Sequence, residues 1–214
     1  MARKSLLERY LAWRETRRPD PVLREHRRRV LAGLVGDVVE IGCGEGANFE
    51  HYPASVTAVL AVEPDPDARA VAARTAAQAS VPITVVDGVG ERLPADDASF
   101  DAAICCWVLC TVADPAAALA EVHRVLRPRG ELRFYEHVVA KTRPLSLVQR
   151  AVDATYWPGM LGCRTARDTE AAIRAAGFAV TSIEHLRHSS SWLTIPAAPR
   201  ILGSATAGQP AHVG

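Results

Sequence analysis

The stretch VVEIGCGEGAN at residues 38–48 decides the fold. A short apolar strand runs directly into a Gly-x-Gly-x-Gly turn formed by Gly42, Gly44 and Gly46. Glycines tolerate unusual backbone angles and let a ligand approach the main chain closely. The free amide groups of the turn, and the start of the helix that follows it, would face that ligand. The alternative is a tight turn that binds nothing.

The spacing of these glycines bears on the identity of the ligand. A dinucleotide-binding turn has the spacing Gly-x-Gly-x-x-Gly, which differs from the spacing here, so an NAD-linked oxidoreductase is disfavoured. Glu63 ends the next predicted strand, about 20 residues further on, where an acidic side chain can accept hydrogen bonds from a ribose diol. Glu63, followed by Pro64, could instead be a charge at a helix start, although Asp65 suits that role better.

Short apolar segments alternate with helical patterns along the chain. Strands are predicted at residues 37–41, 57–62, 83–87, 100–106 and 131–138. Helices are predicted from Pro115 to the residue before Pro128 and from Ala166 to Ala176. This alternation predicts an α/β fold with a mostly parallel sheet and helices on both faces. Such sheets bind ligands beyond the carboxyl ends of their strands, where the strand order reverses.

The two ends of the chain are predicted to lie outside this sheet. Residues 1–35 are expected to form a helical arm or lid, interrupted near Pro19 and Pro21. Residues 36–202 form the α/β domain, and residues 203–214 a disordered tail. Within the domain, residues 178–186 and 191–195 are expected to pair as a late hairpin.

Charge is distributed unevenly along the chain. The 214 residues carry a net charge of +1, which gives no reason to expect nucleic acid as a partner. Residues 1–30 nonetheless contain 10 of the 25 Lys and Arg residues and only 4 of the 24 acidic residues. The arm is therefore expected to be a solvated helix, with residues 27–29 on its exposed face, or else a lid or a weak contact with an anionic surface.

The five cysteines favour neither a disulfide framework nor a zinc site. Their number is odd, three of them cluster at residues 105–110, and no Cys-x-x-Cys pair is present. No bound metal is therefore expected, and a reducing cytoplasm suits the chain. The N-terminus has no signal-peptide core, and the longest apolar run, residues 102–113, is too short to span a bilayer. We expect a cytoplasmic monomer or homodimer, with no transmembrane segment.

Five ordered motifs indicate a family resemblance. The segments EIGCGEG at 40–46, Glu63, GERLP at 90–94, SFD at 99–101 and HRVLRPRG at 123–130 resemble the motifs of class I S-adenosylmethionine (SAM)-dependent methyltransferases. The resemblance implies a Rossmann-like, seven-stranded, mostly parallel sheet whose last strand is antiparallel. It also implies SAM (S-adenosyl-L-methionine) as the cofactor and S-adenosyl-L-homocysteine as its product.

The same resemblance implies a set of cofactor-binding residues. They are Glu40, Gly42, Gly44 and Gly46 at the methionine end of SAM, Glu63 and Pro64 at the ribose, Gly90 and Glu91 at the adenine, and Cys105 and Cys106 near the sulfonium. Many relatives carry Asp two positions before Glu91, where this chain has Val89. The adenine amino group would then depend on Glu91 or on backbone acceptors.

A narrower resemblance concerns the methyl acceptor. Residues 46–53, 108–112, 135–138, 162–163 and 191–192 are similar to the membrane-associated thiol S-methyltransferases of animals, which carry an apolar N-terminal anchor where this chain has a basic helix. The resemblance implies methylation of the sulfur of a small, apolar thiol. The alternatives are O- or C-methylation of a quinone-like, phenolic or lipid acceptor, and a SAM-binding regulatory module without turnover.

The candidate residues for the acceptor side are aromatic or soft. His137, next to Glu136 after the fifth strand, is the candidate catalytic residue because it could orient or deprotonate an acceptor; it could equally be a structural histidine. Methyl transfer needs no protein nucleophile, so Cys110 is interpreted as a small buried residue. The predicted substrate pocket consists of Tyr10, Trp13, Trp107, Cys110, Tyr156 and Trp192.

Overall fold

The computed structural model describes residues 20–155, 162–189 and 192–208. Its seven strands are β1 (Gly36–Ile41), β2 (Val56–Val62), β3 (Ile83–Val86), β4 (Phe100–Cys106), β5 (Leu126–His137), β6 (Phe178–Arg187) and β7 (Pro199–Ala207). Its helices are α1 (Pro21–Leu31), α2 (Pro66–Ala76), α3 (Pro115–Val125), α4 (Arg143–Thr155) and α5 (Thr169–Ala175), with 3-10 turns at Phe49–His51 and Trp192–Ala197. Of the predicted pocket residues, Tyr10, Trp13 and Tyr156 lie outside the described ranges, and Trp192 begins the second 3-10 turn.

All seven strands belong to one sheet with the order β3-β2-β1-β4-β5-β7-β6. The first five strands pair in parallel, and β7 runs antiparallel to both β5 and β6. The predicted Rossmann-like sheet with an antiparallel last strand is confirmed. The strand order reverses between β1 and β4, which places the ligand-binding end of the sheet beyond Ile41 and Cys106.

Three helices begin with the same dipeptide, Asp-Pro. The carboxylates of Asp20, Asp65 and Asp114 accept backbone N–H groups of the first turns of α1, α2 and α3, and a proline follows each of them. An aspartate at this position satisfies helix N–H groups that have no partner within the helix, and proline suits the first helical position because it has no N–H to leave unpaired. Each of these helices therefore starts at a point fixed by the sequence.

The sheet is covered on both faces. Val39 and Ile41 of β1 pack in one core with Leu119 of α3, whereas Val38 packs on the opposite face with Leu31 of α1. This alternation follows from the two-residue period of a strand. Within the described ranges, no helix is both long and apolar enough to cross a bilayer.

The C-terminal part of the domain corrects two predictions. Residues 203–207, expected in a disordered tail, form most of β7. The partner of β6 in the late hairpin is β7, and residues 192–197 form a 3-10 turn instead. Glycine is needed at position 203 of β7, because a Cβ there would clash with the Ser182 carbonyl oxygen and lie 2.8 Å from the Phe134 ring.

Helix α1 packs on the sheet, so the structure corrects the prediction of a separate arm for residues 20–35. Val30 and Leu31 are buried, and Nδ1 of His26 lies 2.9 Å from the hydroxyl oxygen of Tyr135 on β5. Arg27 also departs from the expected solvated face. Its guanidinium donates a 2.9 Å hydrogen bond to Asn48 Oδ1. Residues 1–19 lie outside the described ranges, and for them the lid stays a prediction.

Candidate active site

A cleft of about 300 Å³ opens beyond the carboxyl ends of the central strands. This volume is at the lower end of the range for small-molecule sites. Five of the predicted cofactor residues line it: Gly42, Glu63, Pro64, Gly90 and Glu91. The cleft is where the sheet topology places a ligand, and much of the rest of its wall is apolar, including Ile41, Val89, Val108 and Val112.

The glycine turn forms the floor of this cleft at Gly42. The backbone of Gly42 has a φ of 62°, and a Cβ there would lie 2.9 Å from Cγ2 of Val108. A side chain at this position would therefore be strained by its backbone angle and would displace the neighbouring wall. Gly44 and Gly46 also have positive φ angles, but they do not line the cleft.

Glu63 directly follows β2, with its carboxylate at the cleft. Its Oε2 accepts the backbone N–H of Gly44 at 2.8 Å, and its Oε1 accepts that of Asp65 at 2.9 Å. A carboxylate has about four acceptor positions, so two remain for hydroxyl groups of a ligand. The helix-capping role belongs to Asp65, whose carboxylate accepts the N–H groups of Asp67 and Ala68. The assignment of Glu63 to the ribose of SAM stays a prediction.

Glu40 lies behind the turn and does not line the cleft. Its two carboxylate oxygens accept hydrogen bonds from Nδ2 of Asn48 at 2.8 Å and from the hydroxyl of Tyr52 at 2.7 Å. Burial raises the pKa of Glu40 to about 7, against the opposing effect of these two hydrogen bonds. Glu40 is therefore placed to hold the turn in shape. Asn48 and Tyr52 were not among the predicted site residues, although they lie only 8 and 12 residues from Glu40 along the chain.

The Glu91 carboxylate is hydrogen-bonded to the backbone at the start of α3. Its Oε1 accepts N–H groups from Ala113 at 3.0 Å and from Asp114 at 3.2 Å. Cys105 and Cys106, predicted near the sulfonium, are buried at the end of β4 and do not line the cleft. Burial raises the pKa of Cys106 to about 12.

Trp107 follows β4 and forms part of the cleft wall. Its backbone has a φ of 61°, a strained angle for a large side chain. The indole stacks on the His137 ring, with centroids 5.5 Å apart and an interplanar angle of 10°, and the Arg27 guanidinium lies 4.9 Å from its centroid on a cation–π contact. The predicted pocket residue Trp107 is thus fixed at the cleft by contacts from two other elements.

Glu136 is a positioning residue that the predicted site did not include. It is fully buried on β5, and its carboxylate accepts the backbone N–H groups of Val108, Leu109 and Cys110 at 2.8 to 3.1 Å. Burial raises its pKa to about 7, and these three hydrogen bonds act in the opposite direction. The signal in the sequence is an acidic residue within an otherwise apolar strand, which needs such partners.

His137, Cys110 and Cys163 come together beside the cleft wall. Nδ1 of His137 lies 3.5 Å from Sγ of Cys110, and the two sulfurs are 3.9 Å apart. The hydrogen bond from the Cys110 thiol lowers the pKa of Cys163 and raises the pKa of Cys110. His137 and Cys110 do not line the cleft themselves.

This cluster bears on the expectation that the chain binds no metal, because its three side chains could together hold an ion. The ligand atoms of Cys110, His137 and Cys163 all lie within 4.8 Å of one another. They come from three separate loops and strand ends, 27 and 53 residues from Cys110 along the chain, so no local spacing could indicate the group. The predicted site contained Cys110 and His137 but lacked Cys163.

Comparison with known proteins places the chain among methyltransferases. A family model described as "Methyltransferase domain" matches residues 39–134, which run from β1 to β5. Thiol S-methyltransferase TMT1B of Rattus norvegicus is 34% identical over 181 residues, covering 82% of this chain and 73% of that protein. Thiol S-methyltransferase TMT1A of Homo sapiens is 32% identical over 175 residues, covering 78% and 69%.

A solved structure shares the fold. It is a SAM-dependent methyltransferase of Thermotoga maritima, described as a possible histamine N-methyltransferase, with a TM-score of 0.64 and 24% identity over 94% of this chain and 96% of that one. The relatives in sequence, the strand order and the glycine turn at its reversal point agree with one another. This chain is accordingly a member of the class I SAM-dependent methyltransferase family, an enzyme that uses SAM as its methyl donor.

Proposed function

We propose that this enzyme methylates the sulfur of a small, apolar thiol. The observation that carries the proposal is the similarity to two thiol S-methyltransferases, TMT1B and TMT1A, over about four-fifths of the chain. The similarity extends well beyond residues 39–134, the part matched by the general methyltransferase model. The resemblance is therefore not confined to the part of the chain that methyltransferases share in general.

Three of those segments converge in space. Residues 108–112, 135–138 and 162–163, which resemble thiol S-methyltransferases in sequence, contribute Cys110, His137 and Cys163 to one cluster. Thr111 joins this cluster to the cleft, because it lines the cleft and its Oγ1 lies 3.7 Å from Cys110 Sγ and 3.8 Å from Cys163 Sγ. The segments most specific to the resemblance thus adjoin the cofactor cleft.

The chemistry of the cleft supports a soft acceptor. SAM supplies a methyl group that is already activated, so the protein has to align the acceptor with it and exclude water. The described lining contains no histidine or lysine, and one oxygen of Glu91 and both oxygens of Glu63 already accept backbone N–H groups. An acceptor that reacts without help from a histidine or lysine has to ionise unaided, and a thiol of pKa about 8.5 is ionised at pH 7 about thirty times more than a phenol of pKa about 10.

The residues of the cleft have separate roles in this proposal. Glu63 holds the ribose hydroxyls, Gly42 leaves room for the methionine end of SAM, and Trp107 with Val108 and Val112 forms an apolar wall for the acceptor. His137, the predicted catalytic residue, lies behind Trp107 with its Nδ1 toward Cys110. We therefore assign it a positioning role, without direct contact to the acceptor.

The test is turnover with a panel of acceptors. The purified chain is incubated with SAM and an aliphatic thiol, an aromatic thiol, a phenol or a quinol, and the products are identified by mass. S-methyl products from the apolar thiols are expected, and Glu63→Ala should lose this activity. Methylation of the phenol or quinol with no thiol product would overturn the proposal in favour of an O-methyltransferase. SAM binding with no product from any acceptor would favour a regulatory SAM-binding role.

A further inference from the structure

The cluster of Cys110, His137 and Cys163 has the dimensions of a metal site. A tetrahedral Zn²⁺ with Zn–S bonds of about 2.3 Å and Zn–N bonds of about 2.0–2.1 Å holds two sulfurs about 3.8 Å apart, and a sulfur and a nitrogen about 3.6 Å apart. In this structure the two sulfurs are 3.9 Å apart, and Cys110 Sγ lies 3.5 Å from His137 Nδ1. Two of the distances between ligand atoms therefore agree with those of a tetrahedral Zn²⁺ site to within a few tenths of an ångström.

The segments that carry the three side chains are each held by other parts of the fold. The main chain at Cys110 is fixed on two sides, because its N–H donates to Glu136 and its carbonyl accepts the N–H of Arg164 at 2.7 Å. His137 is oriented by stacking on Trp107, and its carbonyl accepts the hydroxyl of Thr169. These contacts orient the ligand atoms before any ion binds, which lowers the entropic cost of forming a site.

The loop that carries Cys163 is also anchored. The carboxylate of Asp153 on α4 accepts the N–H groups of Thr165 and Ala166 and the hydroxyl of Thr165 at 2.8 to 3.0 Å. The N–H of Arg164 reaches the carbonyl of Cys110. The loop is thus tied both to α4 and to the segment that carries the other cysteine, which keeps the two sulfurs at their distance.

From this geometry we infer that Cys110, His137 and Cys163 bind a Zn²⁺ ion and leave a fourth position for the acceptor thiol. Two thiolates and a neutral imidazole balance the charge of a divalent cation, and soft sulfur ligands select zinc over magnesium or calcium. A site with three protein ligands keeps one position open for water or substrate, as catalytic zinc sites do. The part of this inference that concerns the acceptor rests on the proposed function.

The open position gives the site a role in methyl transfer. A thiol that binds zinc loses its proton to solvent, because the cation stabilises the thiolate. The thiolate sulfur then forms a bond to the methyl carbon as the bond between that carbon and the SAM sulfonium breaks. The products are a thioether and S-adenosylhomocysteine, and the uncharged thioether is a weaker ligand than a thiolate, so it leaves the ion. Thr111, in contact with both sulfurs, marks the side on which the cluster adjoins the cleft.

Metal binding is tested without reference to activity. The full chain is stripped with a chelator under reducing conditions, loaded with Zn²⁺ or Co²⁺, and analysed for metal content. We expect about one Zn²⁺ per chain, and a sulfur-to-cobalt charge-transfer band in the Co²⁺ form. Cys110→Ser, Cys163→Ser and His137→Gln should each weaken the affinity for Zn²⁺ by at least about 100-fold. Such a loss is larger than the one expected when a residue that only hydrogen-bonds to a metal ligand is removed.

The matched control is Cys43→Ser, because Cys43 is a buried cysteine that lies outside the cluster. This variant should retain the Zn²⁺ and the charge-transfer band. The inference is overturned if the reduced chain takes up no Zn²⁺, or if the three cluster variants bind it as well as the control. A chain that is 2 Da lighter by mass under mild oxidation, and binds no metal once reduced, would instead identify Cys110 and Cys163 as a disulfide pair.

The role in catalysis needs a second measurement. Chelation should abolish thiol methylation while SAM still binds with unchanged affinity, and added Zn²⁺ should restore turnover. Full turnover by the metal-free chain would overturn the assigned role. If neither form methylates any thiol, the proposed function and the acceptor role both fail, and zinc binding is then judged by the metal content and the cobalt spectrum.

Discussion

The backbone N–H of Gly44 donates a 2.8 Å hydrogen bond to Oε2 of Glu63. This bond joins the glycine turn after β1 to the acidic end of β2, so the two sequence motifs that indicated a nucleotide cofactor form one structural unit. A carboxylate in this position both shapes the turn and presents its remaining acceptor directions to the cleft.

The first prediction concerns that carboxylate. Hydrogen bonds to a charged group contribute about 1.5–3 kcal/mol each, so Glu63→Ala should weaken SAM binding at least about tenfold in calorimetry. The matched control is Asp67→Asn, which removes an exposed carboxylate from the first turn of α2 and should leave SAM affinity unchanged. If folded Glu63→Ala binds SAM with an unaltered dissociation constant, Glu63 only shapes the turn and does not bind the cofactor.

The second prediction concerns Gly42. A Cβ at Gly42 meets Val108 at 2.9 Å, whereas a Cβ at Gly33, which also has a positive φ of 77°, meets nothing within 4 Å. Both Gly42→Ala and Gly33→Ala should lose about 1–3 kcal/mol of stability because of the backbone angle. Only Gly42→Ala should also lose SAM affinity, measured by calorimetry on folded protein. Equal SAM affinities in the two variants would contradict a close approach of SAM at Gly42.

The third prediction is a pH dependence that comes from Glu40. Its pKa is about 7 in the folded chain and near 4.5 when unfolded, so the folded state holds an extra proton between these values. The free energy of unfolding should therefore fall as the pH rises from 4.5 to 7, by an amount on the order of 3 kcal/mol. Tyr52, Asn48 and Arg27 face this carboxyl and oppose the shift.

The measurement is denaturant unfolding of the wild type and Glu40→Gln between pH 4.5 and 8. Glu136 has a raised pKa of the same sign and is present in both proteins, so the difference between the two curves isolates Glu40. We expect the free energy of unfolding of Glu40→Gln to change less with pH than that of the wild type. Parallel curves would mean that Glu40 is ionised in the folded state throughout this range.

The fourth prediction separates two neighbouring arginines of α1. Arg27 contacts the Trp107 ring and Asn48, whereas Arg28 pairs with Glu25 at the exposed surface. Arg27→Ala should lower the free energy of unfolding by about 1–2 kcal/mol, since a cation–π contact and a hydrogen bond are both removed. Arg28→Ala should change it little, because exposed ion pairs are weak. Equal losses in the two variants would mean that Arg27 is a solvated surface residue, as the sequence predicted.

How far the sequence predicted the site depends on the distance between the residues along the chain. Gly42 and Glu63 were predicted because each directly follows a strand, and the carboxyl ends of parallel strands lie at the same edge of a sheet. Cys163 was not predicted, since its contact with Cys110 depends on a loop that is held by Asp153 on α4. No periodicity or spacing in the sequence encodes that contact.

The fold shows the same dependence on local signals. A helix start at Asp-Pro can be predicted from those two residues alone. The start of α3 was correctly predicted in this way from Asp114 and Pro115. The strand β7 was missed because its small residues are typical of loops, whereas at Gly203 a glycine is required by close packing against Phe134. Tertiary packing outweighs local propensity in such a strand.

The position of β7 has a consequence for how the chain assembles during synthesis. This strand lies between β5 and β6 and pairs with both, yet it follows both in the sequence. Until residues 199–207 have left the ribosome, β5 and β6 each expose an edge with unpaired backbone groups, and such edges favour association with other chains. Nascent chains halted before Gly203 should therefore aggregate or recruit chaperones, and the sheet closes only in the last stage of translation of this domain.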